Sequence, residues 1–262
     1  MHLSPEARLT NAMESTISSK AALFFGLREL FRPNISYRLG LLWIILDPFI
    51  IAMIYAFLIV IVRGNYQGFS IVIGVLTLQA SNRAISRNVS LNLAKEPFPM
   101  MHIPTAPLLI SRYSTDFFQA AFVGFAGAFV VIPLAEAPLI LALHLPLICT
   151  GLAIFGTSLG LIISPLTALV KDMQKIISYA LLASLFLLAV LYDYDSTSGV
   201  HKTILSYIPH TFGVEWVMCQ INGNPYPFSL DHVSLVCAIW VTVFSIGISK
   251  SGKYRWRLTT WA

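Results

Sequence analysis

The stretch RPNISYRLGLLWIILDPF, residues 32 to 49, decides the fold because it leads from a basic segment into a long apolar run. Trp43 stands at the expected depth of lipid headgroups, and Asp47 and Pro48 follow just inside the apolar run. A carboxylate and a proline are costly in lipid, so both should face protein or water. The stretch therefore predicts the beginning of a membrane-spanning helix that keeps a polar feature inside the protein.

The composition of the chain agrees with a membrane protein. Of its 262 residues, 56% are hydrophobic and only 11% are charged, whereas soluble domains carry about 25% charged residues. We therefore expect an all-α integral membrane protein built as a single domain over residues 1–262. From the apolar runs we predict six spans, at about 40–62, 69–87, 108–132, 138–163, 176–192 and 230–249.

The second run is the weakest of the six, because its uninterrupted apolar part, FSIVIGVLTLQA, is only 12 residues long. It spans if the polar continuation Ser81-Asn82 faces another helix or a water-filled cavity, and is otherwise a re-entrant segment. With six spans, fifteen of the 17 Lys and Arg residues fall on one side, which leaves Arg63 and Lys202 on the other. Because Lys and Arg concentrate in cytoplasmic loops, we expect six spans with both termini in the cytoplasm.

Two further segments have the pattern of helices that do not cross the membrane. Residues 16–31 repeat apolar side chains at a spacing of three and four, which predicts an amphipathic helix at the interface or, alternatively, a cytoplasmic helix packed on the bundle. The loop between spans five and six has two apolar stretches, broken by Pro209 and Gly213 and ended by Asn222-Gly223. This pattern predicts two short re-entrant outer helices, and the alternative is a small extracellular cap.

Several motifs in the chain point to chemistry that their context excludes. GISKSGKY, residues 247–254, resembles a phosphate-binding loop, but Tyr254 replaces the required hydroxyl residue and an apolar run precedes the motif. GTSLG, residues 156–160, matches a nucleophile elbow but lies inside the fourth run, where small residues predict close helix packing. We therefore expect no catalytic residue in this chain.

The ionisable residues and cysteines also argue against a metal or cofactor site. The six histidines show no metal-ligand spacing, and the three cysteines are expected to be packing residues. Arg112 and Asp116 are four residues apart and are predicted to form a structural ion pair. Since ionisable residues in the spans are few, any transport should draw its energy from another chain.

The opening stretch also carries a resemblance to a known family. It is similar to the beginning of the ABC-type polysaccharide export permeases in Arg32, Tyr37, Arg38, Leu39, Gly40, Leu42, Trp43, Asp47 and Pro48. KDMQKI, residues 171–176, resembles the family's loop before the fifth span, and residues 208–226 resemble its outer region. The family includes capsule, O-antigen and teichoic-acid exporters, and the motifs of this chain are most similar to those of the capsule branch.

The resemblance implies a function and a set of partners. The chain would be the transmembrane subunit of an ATP-driven ABC exporter that moves a lipid-linked polysaccharide of capsule or O-antigen type across the bacterial inner membrane. Two permease copies would work with two ATPase chains, so ATP and magnesium would bind the partner, and this chain would be neither an enzyme nor a nucleotide binder. Membrane lipids and periplasmic and outer-membrane export proteins are further expected partners, and nucleic acid is not.

The resemblance also implies roles for individual residues. Contact with the ATPase is expected in residues 87–104 and 165–175, at Asn88, Lys95, Glu96, Lys171, Asp172, Gln174 and Lys175. Because arginine suits phosphate groups, the lipid phosphate is expected at Arg28, Arg32 and Arg38. The aromatic residues expected to line the channel or an interface are Tyr37, Trp43, Tyr179, Tyr192 and Trp216. The alternative is that they are ordinary aromatic side chains at the level of the lipid headgroups. Asp47 and Glu215 are the predicted intramembrane polar residues.

Three other functions stay open at this point. An ABC-type exporter of another cargo, such as teichoic acid, a lipid or a drug, would share the fold. A membrane enzyme acting on lipids would need acids, histidines or serines that converge at one membrane face. A membrane scaffold without transport activity would bind no ATPase, so copurification of an ATPase separates it from the exporters.

Overall fold

The computed structural model describes residues 42–63, 68–89, 105–134, 136–170, 172–188, 190–192 and 194–259. Within these ranges the regular structure is helical and contains no strand. The predicted all-α class is thus confirmed for this part of the chain. The predicted interfacial helix at residues 16–31 lies outside the described residues.

The described residues form eight α-helices and one short 3-10 turn, Tyr194–Ser196. The helices are α1 (Leu42–Arg63), α2 (Gly68–Val89), α3 (Thr105–Leu134), α4 (Leu141–Leu169), α5 (Asp172–Leu187), α6 (Gly199–Leu205), α7 (Pro209–Asn222) and α8 (Leu230–Thr259). Each of the six apolar runs therefore contains a long helix, and the loop after α5 contains two short ones. By length and apolar composition, three segments can cross a membrane, namely Leu109–Pro133, Leu141–Thr167 and Leu230–Gly247. The six-span topology stays a prediction.

The helix α2 lies at the centre of the bundle. All residues from Ile71 to Leu78 are buried, and the helix continues past the polar residues to Val89. The side-chain amide of Asn82 donates hydrogen bonds to the carbonyl of Leu181 (3.2 Å) and the hydroxyl of Ser184 (3.0 Å), both on α5. Asn82 therefore faces another helix. This is the condition under which the second run was expected to span the membrane. Protein contacts replace lipid along α2, which explains how it tolerates polar residues.

Close packing of α4 depends on glycines. A Cβ atom on Gly156 would lie 2.5 Å from the carbonyl oxygen of Ser81, and one on Gly160 would lie 2.7 Å from the Cβ of Asn88. On the neighbouring helix, a Cβ on Gly124 would lie 2.5 Å from the Cα of Pro146. The α4 helix therefore touches the backbones of α2 and α3 almost directly. The predicted packing role of GTSLG is confirmed.

The outside of the bundle is rich in apolar side chains. Phe57 on α1, Leu182 on α5 and Val241 on α8 are 69%, 58% and 64% exposed. Only Val236 and Gly247 are buried among the described side chains of α8. Apolar surfaces of this extent indicate that lipid or another protein chain covers them. They agree with a membrane protein.

The helix α5 differs from the predicted fifth run at both ends. It begins at Asp172 because a tight turn at Val170 joins it to α4, with the amide of Met173 donating to the Val170 carbonyl at 3.1 Å. It ends at Leu187, and the chain then turns so that Val190 is buried against Gly74 of α2. A Cβ on Gly74 would lie 3.1 Å from Val190, so the close approach depends on glycine at this position.

The last helix is longer than the sixth run. It extends to Thr259 and includes GISKSGKY, residues 247–254. Lys and Arg are good helix formers, so the helix continues beyond the apolar residues. A phosphate-binding loop lies between a strand and a helix, and a continuous helix does not provide that geometry.

Candidate functional site

The start of α1, the end of α2, the start of α3 and the end of α4 meet at one end of the bundle, which we call the basic end. The polar residues that join these helices here form what we call the Asp116 cluster. Its members are Asp47, Arg83, Arg87, Asn88, Asp116, Gln119 and Thr157. The sequence predicted few ionisable residues in the spans and missed this cluster.

The carboxylate of Asp116 is the centre of the cluster. It is buried on α3 and receives hydrogen bonds from Arg87 Nη1 (2.6 Å), Asn88 Nδ2 (2.8 Å) and Thr157 Oγ1 (2.7 Å). These donors come from α2 and α4, so one carboxylate joins three helices. A buried carboxylate costs several kcal/mol unless it is paired and hydrogen-bonded, and these three contacts offset that cost.

Arginines surround this carboxylate on two helices. Arg87 also donates to the side-chain oxygen of Gln119. Arg112 is buried one turn before Asp116 on α3 and adds a second positive charge near the carboxylate. The sequence predicted the pair Arg112–Asp116 from the spacing alone. The structure shows that Asp116 is also paired with Arg87 of α2, 29 residues away along the chain.

A second, looser ion pair lies beside the first. Arg83 Nη2 is 3.6 Å from Asp47 Oδ2, and the two side chains are 27% and 54% exposed. A cleft between α1, α2 and α3 opens next to this pair, and its lining includes Pro48, Gln79, Arg83, Asp116, Gln119 and Ala120. The cleft thus joins a polar rim to an apolar floor of small residues.

The two segments predicted to contact an ATPase begin side by side. The hydroxyl of Thr167, near the end of α4, lies 2.8 Å from the carbonyl oxygen of Val89, the last residue of α2. Asn88 is fully buried and bonds to Asp116. Asp172, Gln174 and Lys175 are exposed on the first turn of α5. The other predicted contact residues, Lys95, Glu96 and Lys171, lie outside the described residues.

The predicted phosphate-binding and aromatic residues are only partly described. Arg28, Arg32, Arg38 and Tyr37 lie outside the described residues. Trp43 is half-buried near the start of α1, and Tyr179 is 70% exposed on α5. Tyr192 and Trp216 belong to the loop between α5 and α8, as does the half-buried Glu215. The structure therefore distributes these aromatic residues over both ends of the bundle.

The opposite end of the bundle carries an aromatic cluster that the sequence did not predict, apart from Trp216. Phe228 is at its centre, with ring centroids 4.5 Å from Phe212, 5.0 Å from Tyr194 and 5.4 Å from Tyr226. Trp216 lies 5.2 Å from Tyr226. These rings come from the 3-10 turn, from α7 and from the segment after it, and together they hold the short helices as one unit.

The short helix α7 is anchored to α2 by a buried histidine. His210 Nε2 lies 3.1 Å from the Thr77 hydroxyl and 3.2 Å from the Gly74 carbonyl oxygen. Burial lowers the pKa of His210 to about 4, against the opposing effect of the Gly74 hydrogen bond. The helix ends where the sequence predicted, at Asn222, with Gly223 in the left-handed conformation at φ 69°. Two short helices after α5 are therefore present, and their depth in the membrane stays a prediction.

The described residues contain no group of three or more His, Cys, Asp or Glu side chains arranged to hold a metal ion. The side chains that have ligand chemistry are instead the arginines and amides of the Asp116 cluster. They suit a phosphate or carboxylate group better than a cation.

Comparison with known proteins found no matching family model. Two curated relatives are both called O-antigen export system permease protein RfbA and both come from Klebsiella pneumoniae. The first is 23% identical over 233 residues, which cover 85% of this chain and 87% of the relative. The second is 23% identical over 229 residues, 82% of this chain and 85% of the relative. The resemblance to polysaccharide export permeases is thereby confirmed.

Proposed function

We propose that this chain, a relative of the ABC-type polysaccharide export permeases over most of its length, is the transmembrane subunit of an exporter of lipid-linked polysaccharide. The similarity to two O-antigen export permeases over more than four fifths of the chain carries the proposal. The helical bundle with its apolar exterior agrees with a permease. Because both relatives are O-antigen permeases, we favour an O-antigen-type cargo over the capsule type that the sequence motifs suggested.

The proposed energy source is a separate ATPase of the ABC type. ATP and magnesium would bind that partner, and this chain would transmit its movements without a nucleotide site of its own. The contact between Thr167 and Val89 supports this arrangement. It joins the helices from which both predicted contact segments start, so a force on one segment would act on the other.

The proposed path for the glycan lies between two copies of the chain in the inner membrane, with both termini in the cytoplasm. The exposed apolar faces of α1, α5 and α8 offer enough surface for a second copy and for lipid. Aromatic rings along such a path stack on sugar faces without tight binding. Trp43, Tyr179, Tyr192 and Trp216 are the described candidates for this role.

Purification of the tagged full chain from its native membrane in mild detergent tests the proposal. We expect an ABC-type ATPase to copurify in a ratio of one to one, as identified by mass spectrometry. Deletion of the gene should then remove the long-chain glycan from the cell surface and leave its lipid-linked precursor inside. A chain that copurifies with no ATPase, even after crosslinking, would overturn the exporter proposal and favour a scaffold or a lipid enzyme.

The same deletion strain identifies the cargo class. Loss of O-antigen with capsule intact would support the favoured cargo, and loss of capsule alone would support the other branch. If both glycans are normal while the ATPase still copurifies, the cargo is of another class, such as a teichoic acid, a lipid or a drug.

A further inference from the structure

We propose that Arg83, together with the cleft beside it, binds the phosphate group of a lipid at the basic end of the bundle. When no lipid is bound, Asp47 pairs with Arg83. This site differs from the predicted phosphate-binding arginines, which all precede residue 42. The proposal adds a defined binding residue to the export function. It rests on the proposed function only where it identifies the bound lipid as the cargo.

Arg83, which lines the cleft, is held less firmly than the neighbouring Arg87. Arg87 is held at 2.6 Å by the buried carboxylate of Asp116 and also donates to Gln119. Arg83 lies 3.6 Å from Asp47, a carboxylate that is itself 54% exposed. A partly exposed ion pair at this distance is weaker than a buried pair at 2.6 Å, so an incoming phosphate can displace Asp47 from Arg83 more easily than it can displace Asp116 from Arg87.

The other polar groups of the cleft are two amides and the carboxylate of Asp116, which is paired with Arg87. Gln79 and Gln119 line the cleft beside Arg83 and offer amide hydrogens. Arginine is the side chain best suited to phosphate, because its planar guanidinium donates two parallel hydrogen bonds. Ala80, Ala84 and Ala120 also line the cleft, which is small and mainly apolar.

Arg83 and Asp47 lie near the same end of the bundle. Arg83 precedes the last described residue of α2 by six residues, and Asp47 follows the first described residue of α1 by five.

An exposed apolar stripe begins at Asp47 and runs up the same face of α1. Positions that follow Asp47 by 4, 7, 11 and 14 residues share its face of the helix. They are occupied by Ile51, Ile54, Leu58 and Ile61, which are 37%, 56%, 52% and 65% exposed. A lipid whose phosphate sits at Arg83 can lay its hydrocarbon chain along this stripe. The arrangement of charge below and apolar surface above selects a lipid rather than a soluble anion.

The test uses the full chain in phosphatidylcholine nanodiscs that contain a phosphatidic acid with a photoactivatable group in its acyl chain. After illumination, mass spectrometry locates the labelled residues. We expect label on α1 between Ile50 and Ile61, and much less label from a phosphatidylcholine with the same photoactivatable chain. Arg83→Gln should reduce labelling about tenfold, the order expected for loss of a charge-assisted contact. Arg83→Lys should retain part of it.

The variant Asp47→Asn separates this proposal from a purely structural ion pair. Removal of the competing carboxylate frees Arg83, so labelling should rise or stay equal, whereas a structural pair would lose labelling in both variants. Lys202→Gln, which removes one positive charge at the opposite end of the bundle, is the matched control and should label like wild type. If Arg83→Gln fails to give folded protein by size-exclusion chromatography, Asp47→Asn decides alone, since a fall in labelling overturns the proposal.

Three results would overturn the site. They are equal labelling in Arg83→Gln and wild type, equal labelling by the two lipids, and a parallel loss in Asp47→Asn. Suppression of labelling by added inorganic phosphate would support the anion site, because phosphate would compete with the lipid headgroup at Arg83. Labelling needs no transport and no ATPase, so its failure leaves the proposed function standing, and failure of the copurification experiment leaves the labelling result valid.

Discussion

The hydroxyl oxygen of Thr167 lies 2.8 Å from the main-chain carbonyl oxygen of Val89 and connects the last turn of α4 with the end of α2. Two turns further into α4, Gly160 packs against Asn88 and Ile85 without a side chain between the helices. The two helices are therefore joined at their ends by a hydrogen bond and near it by direct backbone contact.

The glycine contacts predict a position-dependent cost for one added methyl group. Gly156→Ala should destabilise the protein by about 1–3 kcal/mol, the usual cost of overpacking, because its Cβ would lie 2.5 Å from the backbone oxygen of Ser81. Gly151→Ala is the matched control on the same helix, where an added Cβ meets nothing within 4 Å. It should be neutral or stabilising by up to about 1 kcal/mol, because alanine favours helices. Thermal unfolding of the two purified variants in detergent measures the difference, and equal melting temperatures would contradict the packing argument.

The Asp116 cluster predicts that loss of its carboxylate charge destabilises the bundle. Asp116→Asn would leave Arg87 partly buried without its anion, which should cost on the order of 2 kcal/mol. Asp195→Asn is the matched control, because its ion pair with Lys202 is exposed and should contribute little. The double variant Arg87→Gln/Asp116→Asn should lose less stability than the sum of the two single variants. Additive losses would show that the two residues do not stabilise each other.

The sequence predicted where the helices form, because apolar runs are local signals. Its weakest prediction was the second run, where the uninterrupted apolar part ends at Ala80 while α2 continues to Val89. The polar residues in this extension find partners on α1, α3 and α5, and no local pattern contains that information. Asn82 is an example. In the sequence it marks the end of an apolar run, whereas in the structure its side chain bonds to α5.

The candidate site was less predictable than the fold for the same reason. Spacing drew attention to Asp116 and suggested Arg112, since residues four apart share a helix face. The donors Arg87 and Thr157 are 29 and 41 residues away from Asp116, so only the packing of α2 and α4 against α3 brings them to it. The arginines at the end of the second run, Arg83 and Arg87, were the one signal in the sequence that pointed to this cluster.

The buried imidazole of His210 predicts that stability falls with pH on the acid side. Its pKa is lowered to about 4 in the fold from 6.5, so between these values the unfolded chain binds the extra proton. Stability is therefore fully present above about pH 6.5 and decreases as the pH falls towards 4, by at most about 1.4 kcal/mol per pH unit. Melting temperatures of the detergent-purified protein between pH 7 and pH 5 measure this loss.

The variant His210→Gln assigns that pH dependence to one residue. Glutamine keeps a side-chain N–H for the Gly74 carbonyl but does not titrate, so the melting temperature should fall less steeply with acid than in wild type. His201→Gln, at an exposed position in the same loop, is the comparison variant. An equally steep fall in His210→Gln would show that other groups cause the acid sensitivity.

The contact between Thr167 and Val89 gives a prediction for export itself. Thr167→Val removes the hydroxyl and keeps the shape of the side chain. The two predicted ATPase-contact segments would then lose the hydrogen bond that joins them. We expect the ATPase to copurify as with wild type while the amount of surface glycan in a complemented deletion strain falls severalfold. Thr203→Val, which removes an exposed hydroxyl bonded within α6, is the matched control and should restore wild-type glycan. If Thr167→Val restores full export, transmission between the segments does not depend on this bond. If it loses the ATPase instead, the contact serves assembly rather than transmission.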